Sequence, residues 1–90
     1  MKKKVKTESG FSCQIDEKVL DDMQMIDDLA AIDGGNAVLF PRVVERLIGK
    51  EGKERLYDHL RTEDGRVPIE AFGRELGDII RAIGETEKNS

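Results

Sequence analysis

Apolar residues recur at helical spacing through most of this chain, most clearly from Pro68 to Ile83, PIEAFGRELGDIIRAI. There Ile69, Phe72, Leu76, Ile79, Ile80 and Ile83 follow one another every three or four residues. That spacing draws one stripe on an α-helix and fits no strand, whose faces alternate every second residue. Pro68 suits the first helical position, where its missing N–H is not needed. Gly84 can take the left-handed conformation that closes a helix. On the polar side, Glu70 and Arg74 and then Asp78 and Arg81 stand at favourable pair spacings.

The same reasoning predicts an earlier helix that starts at Asp16 as N-cap. Ile15 before the cap and Leu20 after it have the spacing of a hydrophobic staple. Val19, Leu20, Met23, Ile26, Leu29 and Ala30 form the expected apolar face, and Asp33-Gly34-Gly35 ends the element. The opposite face carries Asp21, Asp22, Asp27 and Asp28. Acids late in a helix oppose its dipole, so this face reads either as a solvated surface or as a partner-binding one.

Ala37 to Phe40 read as an irregular turn before Pro41, because proline in a helix interior costs about 3 kcal/mol. A helix from Pro41 to Ile48 follows, with Val43, Val44, Leu47 and Ile48 inward and Gly49 closing it. The next runs from Glu51 to Arg61, with Leu56, Tyr57 and Leu60 inward. The Asp64-Gly65 pair marks a tight turn. Residues 1–10 are polar and aperiodic and read as a disordered basic tail. Residues 11–15 read as an extended arm, since a single strand has nothing to pair with. Residues 85–90 read as a disordered C-terminal tail. The expected fold is all-α: a compact bundle of about four short helices with an extended N-terminal arm, forming one domain over residues 11–84.

Gly73 and Gly77 interrupt this order. Each costs about 1 kcal/mol relative to Ala in a helix interior. Four apart, they line one strip where another backbone can approach, either within the domain or from a second chain.

The ninety residues carry a net charge of −4, distributed unevenly. Residues 1–10 hold four lysines against Glu8, residues 11–35 hold seven acids against Lys18, and the remainder is near balance. A basic cluster confined to a tail argues against nucleic acid as a partner. One cysteine excludes an internal disulfide and fits a reducing compartment. No run approaches the roughly 20 apolar residues that span a bilayer, so a membrane is not an expected partner. A soluble intracellular protein is expected.

Catalytic and metal chemistry find little footing. Placing Gly65 at position six of a calcium loop puts Leu60 at position one and Ala71 at position twelve, where oxygen ligands are required. His59 and Cys13 are single copies without a partner at metal-ligand spacing. Cys13, His59 and Asp58 are the only candidates for a nucleophile and its helpers, and Cys13 has no basic sequence neighbour to activate it. Gly34-Gly35 lacks the preceding strand and following Lys-Ser or Lys-Thr of a phosphate loop. No enzyme activity, cofactor or metal is expected.

The ordered segments GFSCQIDEKVLDDM, LAAIDGGNAVLFPRVVERLIG, GKERLYDHLRTEDGRVPIEAF and the terminal KNS resemble the small tail assembly chaperones of long-tailed bacteriophages and prophages, particularly those of Gram-positive hosts. The resemblance covers about residues 10–90. It implies a mostly helical protein that acts in the bacterial host cytoplasm during tail morphogenesis and is absent from the mature virion. Its implied partner is the tape measure protein, kept soluble while tail tube subunits polymerise around it. The tail tube protein and further copies of the chain are additional implied partners. No catalytic motif comes with the family. A chaperone for a long amphipathic helix needs an apolar groove with a charged rim, for which Asp21, Asp22, Asp27, Asp28, Gly73 and Gly77 are the candidate partner-binding residues. A small nucleic-acid-binding regulatory module and a structural tail subunit are the alternatives.

Overall fold

The computed structural model describes the backbone of residues 2–88 and the side chains of residues 2–82. It opens with an antiparallel hairpin, β1 (Lys2–Lys6) and β2 (Ser12–Asp16), paired from Lys2 opposite Asp16 to Lys6 opposite Ser12. A 3-10 turn (Glu17–Leu20) leads to α1 (Met23–Asp33). A second 3-10 turn (Ala37–Leu39) leads to α2 (Phe40–Leu60), and α3 (Ile69–Lys88) closes the order. Among the described residues the fold is therefore α+β, with three helices and a two-stranded sheet, and not an all-α four-helix bundle.

The hairpin overturns the reading of residues 1–10 as a disordered tail and residues 11–15 as a lone arm. The missing partner of the second strand was the lysine-rich segment itself. Thr7 N–H donates to Phe11 O (2.9 Å), Gly10 N–H donates to Thr7 O (3.0 Å), and Gly10 has φ 94°. This is a three-residue loop closed by a residue in the left-handed region, a common hairpin connection. Alternation then sorts the side chains. Val5, Thr7, Phe11, Cys13 and Ile15 are buried, whereas Lys2, Lys4 and Lys6 are exposed. Lys3 lies on the inner side of β1, and its Nζ escapes by donating to Ala82 O (2.9 Å).

The expected helix from Asp16 is also split. Asp16 does cap, accepting from Lys18 N–H, but only a 3-10 turn follows. Asp22 then caps α1 by accepting from Gln24 N–H (2.9 Å). Restarting the helix there shifts its phase. Met25 and Asp28 become buried, Leu29 and Ile32 half-buried, and Met23 (71 %) and Ile26 (45 %) stay exposed.

Within α2, Gly49 adopts φ 82°, ψ 168° and breaks the helix into the two segments expected around it. That conformation is open essentially to glycine alone. Gly49→Ala should therefore cost about 1–3 kcal/mol, read as a lowered midpoint in urea denaturation. Val43, Val44, Leu47 and Leu56 are buried as the sequence predicts.

The last helix holds its stripe, with Phe72, Leu76 and Ile79 buried; the side chain of Ile83 lies outside the described residues. Glu75 is buried and accepts from Thr7 Oγ1 (2.7 Å). Gly84 does not end α3, which continues to Lys88. The expected tail at 85–90 thus begins as helix, and residues 89 and 90 lie outside the described residues. The core sits where the hairpin's inner face meets α2 and α3, with Ile15, Leu56 and Ile79 fully enclosed.

Candidate functional site

The six residues singled out on the sequence divide into three groups. Asp22 and Asp28 are engaged within the domain. Asp22 caps α1 and pairs with Arg46. Asp28 is 3 % exposed and accepts from Arg42 Nε (3.2 Å) and Arg42 Nη2 (2.9 Å), and from Gln24 Nε2 (3.2 Å). The Arg42 hydrogen bonds hold its carboxyl below the usual carboxylate range, against the opposing effect of burial. Helical spacing alone could not separate Asp28 from its neighbour Asp27, which is exposed. Asp21 and Asp27 form no ion pair among the described residues.

The two glycines differ from each other. A Cβ on Gly73 would meet the ring of Phe40 at 3.5 Å, so the missing side chain lets that ring lie against the α3 backbone. A Cβ on Gly77 would meet nothing within 4 Å. Gly73 thus serves packing inside the domain, and Gly77 faces open space.

That open space is the upper part of an apolar trough. A cavity of about 270 Å³ lies between α1 and α3, lined by Leu29, Ile32, Phe40, Leu76, Gly77 and Ile80 with Asp33 at its edge. A second, of about 140 Å³, is lined by Phe40, Pro41, Tyr57, Val67, Ile69 and Phe72. Phe40 belongs to both, so the two meet across its ring. Phe40 stacks on Phe72 (centroids 5.8 Å apart), and Tyr57 tilts against Phe72 (5.5 Å), which fixes the floor. Ile69 (68 % exposed) lines the trough, and Val38 (84 %) follows Ala37, another of its lining residues. The residues lining the two pockets run along α3 from Ile69 to Ile80, about 16 Å, with the Phe40 ring between them at Gly73. Outside it, Glu70, Arg74, Asp78 and Arg81 form a charged border with pairs at 3.4 Å.

Sequence reasoning identified the glycines but missed Phe40 and Tyr57, which complete the trough. The signal was present in the apolar run Ala37 to Phe40 ahead of Pro41, where a 3-10 turn presents residues that a continuous helix would bury.

The remaining chemistry-bearing residues are dispersed. Cys13 is buried, and desolvation raises its thiol pKa, only partly offset by Arg55. His59 is exposed, with Nε2 in a hydrogen bond to Ser9 Oγ (3.0 Å) and its ring 5.5 Å from that of Phe11. Asp64 accepts from the Thr62 hydroxyl and from Arg66, and these bonds lower its pKa. Its loop is closed by its own side chains. No group of three or more His, Cys, Asp or Glu among the described residues is arranged to hold a metal ion. No described helix is long and apolar enough to cross a membrane. No family model, curated protein or solved structure matches this chain.

Proposed function

We propose that this protein is a tail assembly chaperone of a long-tailed bacteriophage or prophage, binding the tape measure protein in the host cytoplasm and keeping it soluble while tail tube subunits assemble. The resemblance of the ordered sequence segments suggests the family. The observation that carries the binding role is the apolar trough along α3, centred on Phe40 and open at Gly77. Two apolar pockets along one flank of α3 suit successive apolar residues of a partner helix, and the charged border suits that helix's polar flank. The chaperone shields the stripe until the tube encloses it, so the role is binding and requires no catalytic group.

Co-expression with a tape measure protein tests this reading. The expected result is a soluble complex where the long protein alone precipitates. Gly77→Glu adds a side chain into open space, so the fold tolerates it while its bulk obstructs the approach of a partner. This variant should keep the wild-type circular dichroism spectrum and lose at least about tenfold in affinity (about 1.4 kcal/mol), because the added side chain fills the space that the glycine leaves open to a partner helix. Equal recovery of the complex with Gly77→Glu would remove the trough from the mechanism. Continued precipitation with the wild-type protein would remove the function.

A further inference from the structure

The ordering of the N-terminal lysines into β1 changes what they can do. As a disordered tail they would argue against nucleic acid as a partner; as a strand they form a fixed surface. Lys2, Lys4 and Lys6 are exposed on one face of the hairpin, about 6.7 Å from one to the next along the strand. None forms an ion pair among the described residues. Arg55, on α2, is the one arginine without a carboxylate partner among the described residues. It donates instead to Ser12 O (3.3 Å) and lies 5.3 Å over the Phe11 ring. Those contacts draw the guanidinium back against the hairpin and leave most of its N–H donors unused.

Lys2, Lys4 and Arg55 line an open cleft of about 400 Å³ between the hairpin and α2, with Ser12, Gln14, Ile48 and one acid, Glu51. Three unpaired cations against one carboxylate give this cleft a positive balance. The hollow along the outer side of α3 is the reverse, with Glu8, Glu70, Glu75 and Asp78 against Arg74 and Arg81. The cleft thus concentrates positive charge on a chain whose net charge is −4. Its nearest aromatic ring, Phe11, is 5 % exposed and lies beneath Arg55, so no base can stack on it.

We propose that the cleft between the hairpin and α2 holds the phosphodiester backbone of a single-stranded nucleic acid, with Lys2 and Lys4 on one side of it and Arg55 on the other. Cations repeated along a strand suit charges repeated along a polymer, where a compact anion would need only one or two of them. A recess of this size admits one sugar-phosphate chain and not the width of a duplex. A flat membrane surface would reach the lysine tips without entering the cleft, and so makes no demand on Arg55. Contacts to phosphates without base stacking carry no sequence preference. The net negative charge of the chain repels a polyanion at long range, so the binding is weak and belongs to low salt. The cleft shares no lining residue with the trough, so this site is independent of the partner helix proposed above.

Fluorescence anisotropy of a labelled oligothymidylate, titrated with the purified full chain over a range of salt, tests it. Each phosphate contact adds about −0.7 to the slope of log affinity against log salt for a single strand. Three contacts therefore predict about a 20-fold loss of affinity for a fourfold rise in salt. Lys2→Gln with Lys4→Gln leaves one contact and should reduce that loss to about threefold. Lys2→Arg with Lys4→Arg should keep the wild-type slope. Glu51→Gln removes the one repelling charge in the cleft and should tighten binding, which a folding defect could not do. Circular dichroism checks that each variant keeps the wild-type spectrum. No binding at the lowest salt would overturn the proposal, and so would a slope that the double glutamine variant leaves unchanged. Equal affinity for a duplex of the same length would exclude the cleft as a single-strand site. Binding to phosphatidylglycerol vesicles that needs the lysines but not Arg55, with no binding of the oligonucleotide, would make the lysine face a membrane-surface contact and sink the proposal.

Discussion

Deleting residues 1–7 should abolish the cooperative thermal transition of this protein. The deletion removes β1 entirely, and with it the buried Val5, the Lys3 contact to Ala82 O and the Thr7 hydrogen bond to Glu75. It also uncovers the edge of β2, whose Cys13 and Ile15 are 4 % and 0 % exposed in the intact fold. Each large apolar side chain returned to water loses about 1.5–3 kcal/mol. Glu75 loses the partner that makes its burial tolerable, at a further cost of about 1–3 kcal/mol. Together these losses are comparable to the roughly 5–15 kcal/mol that holds a domain folded. Far-ultraviolet circular dichroism against temperature reads the result. A shallow, non-cooperative loss of helix is expected, and an unchanged midpoint would mean that the segment is a dispensable tail. Ile15→Ala provides a milder form of the same test, costing about 2–5 kcal/mol while leaving all backbone pairing in place.

The hairpin is also where the sequence was hardest to read. Four lysines in six residues have the composition of a solvated tail, and the strand they form has Val5 as its only apolar residue. Its inward face is completed by Thr7, whose hydroxyl needs an acceptor 68 residues away on α3. No local pattern announces such a contact. A local signal did exist in Ser9-Gly10, which marks a turn between two short alternating segments. The α3 stripe was legible because six apolar residues repeat one spacing over several turns. The Gly49 break was legible because proline and glycine punctuate α2 at its start and its middle. In α1 the periodic pattern misled, because Asp16 and Asp22 both make good caps and the sequence does not say which one starts the helix. That six-residue ambiguity turned Met23 and Ile26 outward and Asp28 inward. The trough was half legible for a related reason. Two glycines in a helix signal a close approach, but the ring that approaches Gly73 comes from Phe40 across a turn.

Replacing Asp28 with Asn should loosen α1 and flatten the acid limb of the stability profile. The fully buried apolar contribution of α1 is Met25, so its attachment to α2 rests heavily on the Asp28 carboxylate. That carboxylate accepts from Arg42 at 2.9, 3.1 and 3.2 Å and lies 3.7 Å from Arg46 Nη1. An amide keeps the shape but loses the charge, and its NH2 faces guanidinium groups that can only donate. The expected result at neutral pH is a clear drop in melting temperature and faster hydrogen exchange at the α1 amides. Asp58→Ala, a control at an exposed pair, should leave both unchanged. The pH dependence follows from the depressed pKa of Asp28, whose first cause is the Arg42 hydrogen bond. A carboxylate depressed in the folded state contributes its full stabilisation above the unfolded value, about 3.9 for Asp. That contribution fades as pH falls from there through the folded pKa. Wild type and Asp28→Asn should therefore differ most above about pH 5 and converge as the solution is acidified. Asp64, also depressed, is present in both proteins and cancels in the difference. A stability difference that stays constant from neutral to strongly acidic pH would show that Asp28 acts through shape rather than charge.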